Sequence, residues 1–134
     1  MRTIKFRAWD KEDKKMYEVY HLCPQNIESG GIRLFKSKMH CDENLWQSLG
    51  SVELMQFTGL TDKNGKEIYE GDILETGNGL KFPVEWNIAW GCWMMAGLEP
   101  FITQCNNVYF DETKFGEVIG NIYENPELIN NKEN

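Results

Sequence analysis

Apolar and polar residues alternate along most of this chain with the two-residue period of half-buried strands. In TIKFRAWD, Ile4, Phe6 and Ala8 alternate with Lys5, Arg7 and Trp9, and after the polar turn DKEDKK the pattern resumes in MYEVYHL. Pro24, Gly30 and Gly31 break CPQNIESGG into a loop. GIRLFKSK then predicts a third strand ending near Lys38. The spacing of Leu45, Trp46 and Leu49 behind the N-cap candidate Asp42 predicts one short helix over Asp42–Leu49, stopped by Gly50. From there to Glu124 the stretches SVELMQFTG, KEIYEGDILETG, LKFPVEWN, IAWGCWMM, PFITQC, VYFDE and GEVIGNIYE succeed one another with turn residues between them. Such spacing, without a helical period, predicts a small barrel or sandwich. The expected fold class is mainly β. Residues 1–50 form an N-terminal β element with the short helix, 51–128 a barrel, and 129–134 a polar tail that frays.

Turn chemistry sharpens one hairpin. In FTGLTDKNGKEIYEGDIL a two-residue Asn64-Gly65 turn would set Lys63 against Lys66 and Asp62 against Glu67, and opposed like charges destabilise a sheet. A three-residue loop, Lys63-Asn64-Gly65, with Gly65 left-handed puts Asp62 opposite Lys66 and Leu60 opposite Ile68. That register is the predicted one. Gly71 permits a bend and Asp72 a bond to its own nearby backbone, so the motif reads as turn and corner.

Composition narrows the classes. With 134 residues, 41% hydrophobic and 13% aromatic, the chain holds enough apolar material for one core and is unlike a disordered segment. The longest apolar run, Ile88 to Leu98, has eleven residues, against about 20 for a membrane-spanning helix. No membrane is expected, and the four cysteines read as free thiols of a reducing, cytoplasmic compartment. Net charge is −7, divided into +4 over residues 1–38 and −11 over 39–134.

Three blocks, KFRAWDKEDKKMYE, ELMQFTGLTDKNGKEIYEGDIL and EVIGNIYENPEL, in this order resemble the YopX family of phage and prophage proteins. The resemblance implies an SH3-type β-barrel in the C-terminal part and an origin in a bacteriophage or integrated prophage, acting in the cytoplasm of the bacterial host. The family is uncharacterised, so the resemblance carries over no functional positions.

Candidate chemistry is sparse. His21 and Cys23 share one face of a strand, but adjacent His40 and Cys41 point to opposite faces and no C-x₂-C pair is present. Gly65 stands fourth after Asp62, where a calcium loop of the EF-hand type needs its glycine sixth. No nucleophile motif or phosphate loop occurs. We therefore expect no metal, no cofactor and no enzyme activity. The candidate partner-binding residues are Trp86, Trp90, Trp93 and Tyr109, since small barrels use exposed aromatics to hold peptides or stack bases. In one continuous strand Trp86 and Trp90 would share a face and Trp93 would lie on the other. The expected partner is a host or phage protein, or a second copy in a homo-oligomer. The alternative reading is a nucleic-acid-associated protein using Lys5, Arg7, Lys14 and Lys15 of the first hairpin, which the −11 of the remainder opposes. A carboxylate-based enzyme is the third.

Overall fold

The computed structural model describes the backbone of residues 3–23, 31–35, 45–89, 91–96 and 116–130, without the side chains of 20–23, 31–35 and 45–49. The chain is mainly β, as the alternation predicts. It divides into two compact units, Met1–Gln56 and Phe57–Asn134, with the boundary inside one strand.

In the first unit β1 (Phe6–Asp10), β2 (Lys15–Cys23), β3 (Gly31–Phe35), β4 (Leu45–Ser48) and the first half of β5 (Val52–Thr61) form an antiparallel sheet ordered β4-β3-β2-β1-β5. Inward alternation places Ala8, Tyr17 and Val52 in a common core, with Val19 and Leu54 packed against it. Asp10 starts the β1–β2 turn. Its Oδ1 accepts the backbone N–H groups of Glu12 at 2.8 Å and Asp13 at 3.0 Å. The turn closes with the Lys14 N–H on the Asp10 carbonyl, at a left-handed φ of 55°.

The helix predicted over Asp42–Leu49 is not formed at its described residues, 45–49. Leu45–Ser48 is strand β4, paired antiparallel with β3 from Gly31↔Ser48 to Leu34↔Leu45, and a 3-10 turn over Leu49–Ser51 follows. Asp42, the cap candidate, lies outside the described residues. Four apolar-rich residues satisfy either period, and the free edge of β3 outweighs a weak helical propensity.

The second unit holds the rest of β5, β6 (Glu67–Tyr69), β7 (Asp72–Glu75), β8 (Lys81–Asn87), β9 (Cys92–Met95) and β10 (Glu117–Asn121), and a 3-10 turn over Pro126–Leu128. Four of these form an antiparallel sheet ordered β10-β7-β8-β9. Its core is Ile68, Leu74, Val84 and Met95, with Leu60, Phe82, Trp93 and Val118 partly buried around it.

The β5–β6 hairpin takes the predicted register at its turn. Gly65 has φ 79°, its N–H donates to the Asp62 carbonyl, and the Asp62 N–H donates to the Lys66 carbonyl. Further along, the register shifts: Thr61 faces Glu67, but Phe57 faces Tyr69, so Thr58, Gly59 and Leu60 together oppose Ile68. Gly59, at φ 88°, permits this three-against-one bulge. Thr58 fixes it by donating Oγ1–H to the Ile68 carbonyl at 2.8 Å and accepting the Leu60 N–H at 3.2 Å. The β7–β8 hairpin repeats the turn geometry, with the Thr76 N–H on the Leu80 carbonyl and Gly79 at φ 76°.

Candidate interaction surface

The acids and amides of the quoted motifs turn out to hold backbone. The Asp62 carboxylate is 2% exposed. Its Oδ1 accepts the N–H groups of Asn64 at 2.8 Å and Lys66 at 2.9 Å, while its Oδ2 reaches across to the Val118 N–H of β10 at 3.0 Å. Burial pushes its pKa up, but the Val118, Lys66 and Asn64 N–H groups, helped by the Lys66 charge, win and hold it below the ordinary 3.8. Asp72 Oδ2 accepts the Tyr69 N–H at 2.8 Å across the Gly71 corner. Asn121 Oδ1 accepts the Tyr123 and Glu124 N–H groups at 3.1 and 2.9 Å, capping the turn after β10. A carboxylate committed to two or three amide donors is poorly placed to exchange protons with a substrate, or to give its lone pairs to a metal. Among the described residues, no group of three or more His, Cys, Asp or Glu side chains is arranged to hold a metal ion.

The first hairpin interleaves its basic residues with acids. Lys5 and Lys15 are exposed, but Arg7 stands opposite Glu18 and Lys15 opposite Asp10 in the β1–β2 ladder. The half-buried Arg7 guanidinium lies 3.7 Å from Met55 Sδ, and Lys11 pairs with Glu53 at 3.0 Å. Lys14 occupies the left-handed turn position. The β1–β2 register thus sets an acid opposite two of the four basic candidates, Arg7 and Lys15.

Of the four aromatic candidates, two meet. Trp90 and Tyr109 lie outside the described residues. Trp86 of β8 stands directly opposite Trp93 of β9, with ring centroids 5.0 Å apart at 72°, an edge-to-face pair. This corrects the expectation that Trp93 lies on the other face from Trp86. The chain leaves the strand after Asn87, turns through Ile88–Gly91 with the Gly91 N–H on the Asn87 carbonyl, and returns, so strand parity does not carry across the loop. Gly91 in GCWMM was the available sequence signal, and its φ of 63° is what the loop requires.

Trp86 is 44% exposed and Ile88, at the hairpin tip, 91%. Leu60, Ile68, Leu74, Val84, Trp93 and Met95, together with Thr58 and Met94, line a partly open apolar cavity of about 50 Å³. The Trp93 Nε1–H is buried with no hydrogen-bond partner among the described residues. Sequence reasoning missed this cavity, because it depends on the β5 bulge bringing Thr58 and Leu60 to face β8 and β9.

No helix among the described residues is long and apolar enough to cross a membrane. The family described as YopX protein matches residues 5–130 of the chain. The crystal structure of protein EF1440 from Enterococcus faecalis is similar over 96% of this chain and 99% of that one, with 33% identity and a TM-score of 0.64. No curated protein matches.

Proposed function

Since the chain belongs to the YopX family, we propose that it is a phage- or prophage-encoded, non-enzymatic binding and assembly module of the host cytoplasm, with residues 51–128 as an SH3-type barrel. It acts through a host or phage protein, or through a second copy of itself. The observation that carries this reading is the β8–β9 hairpin. It presents at its tip a fully exposed isoleucine and, on its strand, a half-exposed tryptophan packed edge-to-face on Trp93, which lines an apolar cavity. Asp10, Asp62 and Asp72 act as backbone acceptors at turns, which gives these three acids a structural role.

The test is light scattering on the purified chain combined with capture from host lysate, comparing the natural sequence with a Trp86→Ser, Ile88→Ser double variant. The natural chain forms a defined oligomer or retains a defined protein, and the variant does neither. A strict monomer that captures nothing overturns the proposal. Filter binding with duplex and single-stranded DNA at low and moderate salt checks the nucleic-acid alternative. Retention that falls steeply with salt and depends on Lys5, Arg7, Lys14 and Lys15 would replace this reading.

A further inference from the structure

We infer that Asn78, in the β7–β8 turn, is a site of spontaneous covalent modification, whereas Asn64, in the matching β5–β6 turn, is protected. The Asn78 side-chain amide cyclises onto the backbone and hydrolyses to aspartate and isoaspartate. The inference stands apart from the binding reading above.

The chain holds two Asn-Gly steps, Asn64-Gly65 and Asn78-Gly79, and both lie in exposed turns of the same form. The Asp62 N–H donates to the Lys66 carbonyl at 2.8 Å, and the Thr76 N–H to the Leu80 carbonyl at 2.9 Å. In each turn the glycine N–H donates to the carbonyl of the first residue at 2.9 Å, with φ 79° at Gly65 and 76° at Gly79. Glycine favours cyclisation because no Cβ crowds its nitrogen, and at both glycines nothing lies within 4 Å of the place a Cβ would take. In the reaction the Gly79 nitrogen attacks the Asn78 Cγ. The N–Cγ bond forms, the Cγ–Nδ2 bond breaks, and ammonia leaves with the proton that the glycine nitrogen gives up. Water then opens the cyclic imide at either carbonyl and returns a proton to the nitrogen, so no oxidant or reductant takes part.

Anchorage separates the two turns. The Asn64 Nδ2–H donates to Glu117 Oε2 at 3.0 Å, which holds the reacting amide itself. Beside it the Lys63 N–H donates to the Gly116 carbonyl at 3.3 Å, Lys63 Nζ pairs with Glu117 at 3.5 Å, and Asp62 Oδ2 accepts the Val118 N–H at 3.0 Å. Ring closure must swing Cγ onto the next nitrogen, and these ties to β10 oppose it. The carboxylates of Asp62 and Glu117 also disfavour the negative charge that builds on the Gly65 nitrogen as it loses its proton. The Asn78 turn has Thr76 in the place of Asp62 and Gly77 in the place of Lys63. Thr76 Oγ1 bonds only the Leu80 backbone, at 3.3 Å, and among the described residues no hydrogen bond holds the Asn78 amide. Gly77 adds backbone freedom next to the reacting residue.

The test is incubation of the full chain in mildly alkaline buffer, with and without urea, followed by peptide mapping that resolves asparagine, aspartate and isoaspartate at both steps. In the folded chain Asn78 should convert about tenfold faster than Asn64, the factor that one charge-assisted hydrogen bond adds to a barrier, and in urea the two rates should converge. Glu117→Ala frees the Asn64 amide and should speed its conversion about tenfold while leaving Asn78 unchanged. Asn78→Gln, whose longer side chain must close a larger ring, should remove the acidic product that the aged natural chain shows on ion exchange. If circular dichroism shows that Glu117→Ala loosens the fold, the comparison of the two asparagines in the natural chain decides alone. Equal rates in the folded chain, a faster Asn64, an Asn78 that converts in urea but not in the fold, or an Asn64 rate indifferent to a well-folded Glu117→Ala overturns the inference.

Discussion

Replacing Asp62 by alanine removes three backbone acceptors at once. Two of the orphaned donors, on the exposed Asn64 and Lys66, can turn to water, so each costs about 0.5–1 kcal/mol. The third, on the partly buried Val118, loses a bond to a charged acceptor, about 1.5–3 kcal/mol. The sum is about 3 kcal/mol. Asp62→Asn is the sharper probe: its Oδ1 can keep the two turn bonds, but its amide would present a donor to the Val118 N–H, which should cost about 2 kcal/mol, concentrated on the tie between the hairpin and β10. Urea unfolding at pH 7, followed by the amide signals of Asn64, Lys66 and Val118, measures both. The pH dependence adds a check of sign. Asp62 is held below 3.8 in the fold, so its contribution is complete above that value and is lost as pH falls through the lowered native pKa. The stability gap between natural chain and Asp62→Asn should therefore be constant from pH 7 down to about pH 4.5 and close in stronger acid. Alanine and asparagine variants both within 0.5 kcal/mol of the natural chain, or a gap that widens in acid, would refute the reasoning.

Two glycines with similar φ should behave differently. At Gly116, φ 79°, an added Cβ would overlap the Glu75 carbonyl oxygen, so Gly116→Ala should displace β10 from β7 and cost about 3 kcal/mol or more in thermal unfolding. At Gly65, also φ 79°, nothing lies within 4 Å, and Gly65→Ala should cost only about 1 kcal/mol. Tyr17 is buried, and burial, its hydrogen bond to Asp13 at 3.0 Å and the charges of Asp13 and Asp10 raise its pKa above 10.0. Ultraviolet titration should show its phenol ionising above the ordinary value, and Asp13→Asn should bring it down. Trp86→Ala should leave most of the fold intact, losing about 1 kcal/mol with the aromatic pair, because nearly half of the ring already meets water.

The turns were the most legible part of the chain because their causes are local. Asp62, Asn64 and Gly65 carry between them the acceptor, the turn preference and the left-handed position, and the opposed charges of the rejected register lay in the same few residues. What the motif did not reveal is the reach of Asp62 to Val118, 56 positions away, which depends on β10 folding alongside. The helix expected over Asp42–Leu49 failed for a related reason: Leu45–Ser48 has no strong preference, and pairing with β3 decides it. The site was only half legible. Aromatic content singled out Trp86 and Trp93, but their meeting depends on the four-residue loop at Ile88–Gly91, and the cavity depends on a three-against-one bulge at Gly59 that no alternation pattern announces. The three quoted blocks mark the family, and in the structure their Asp10, Asp62, Asp72 and Asn121 hold turn backbone.

The β8–β9 hairpin is the proposed meeting point with another protein. Hydrogen exchange read by mass spectrometry tests it most directly, comparing the dilute chain with the same chain in the oligomer or captured complex. Amides of residues 80–95 should gain protection of at least tenfold on assembly while the first hairpin, residues 6–19, exchanges as before. Protection that appears on residues 6–19 and leaves 80–95 unchanged would contradict it.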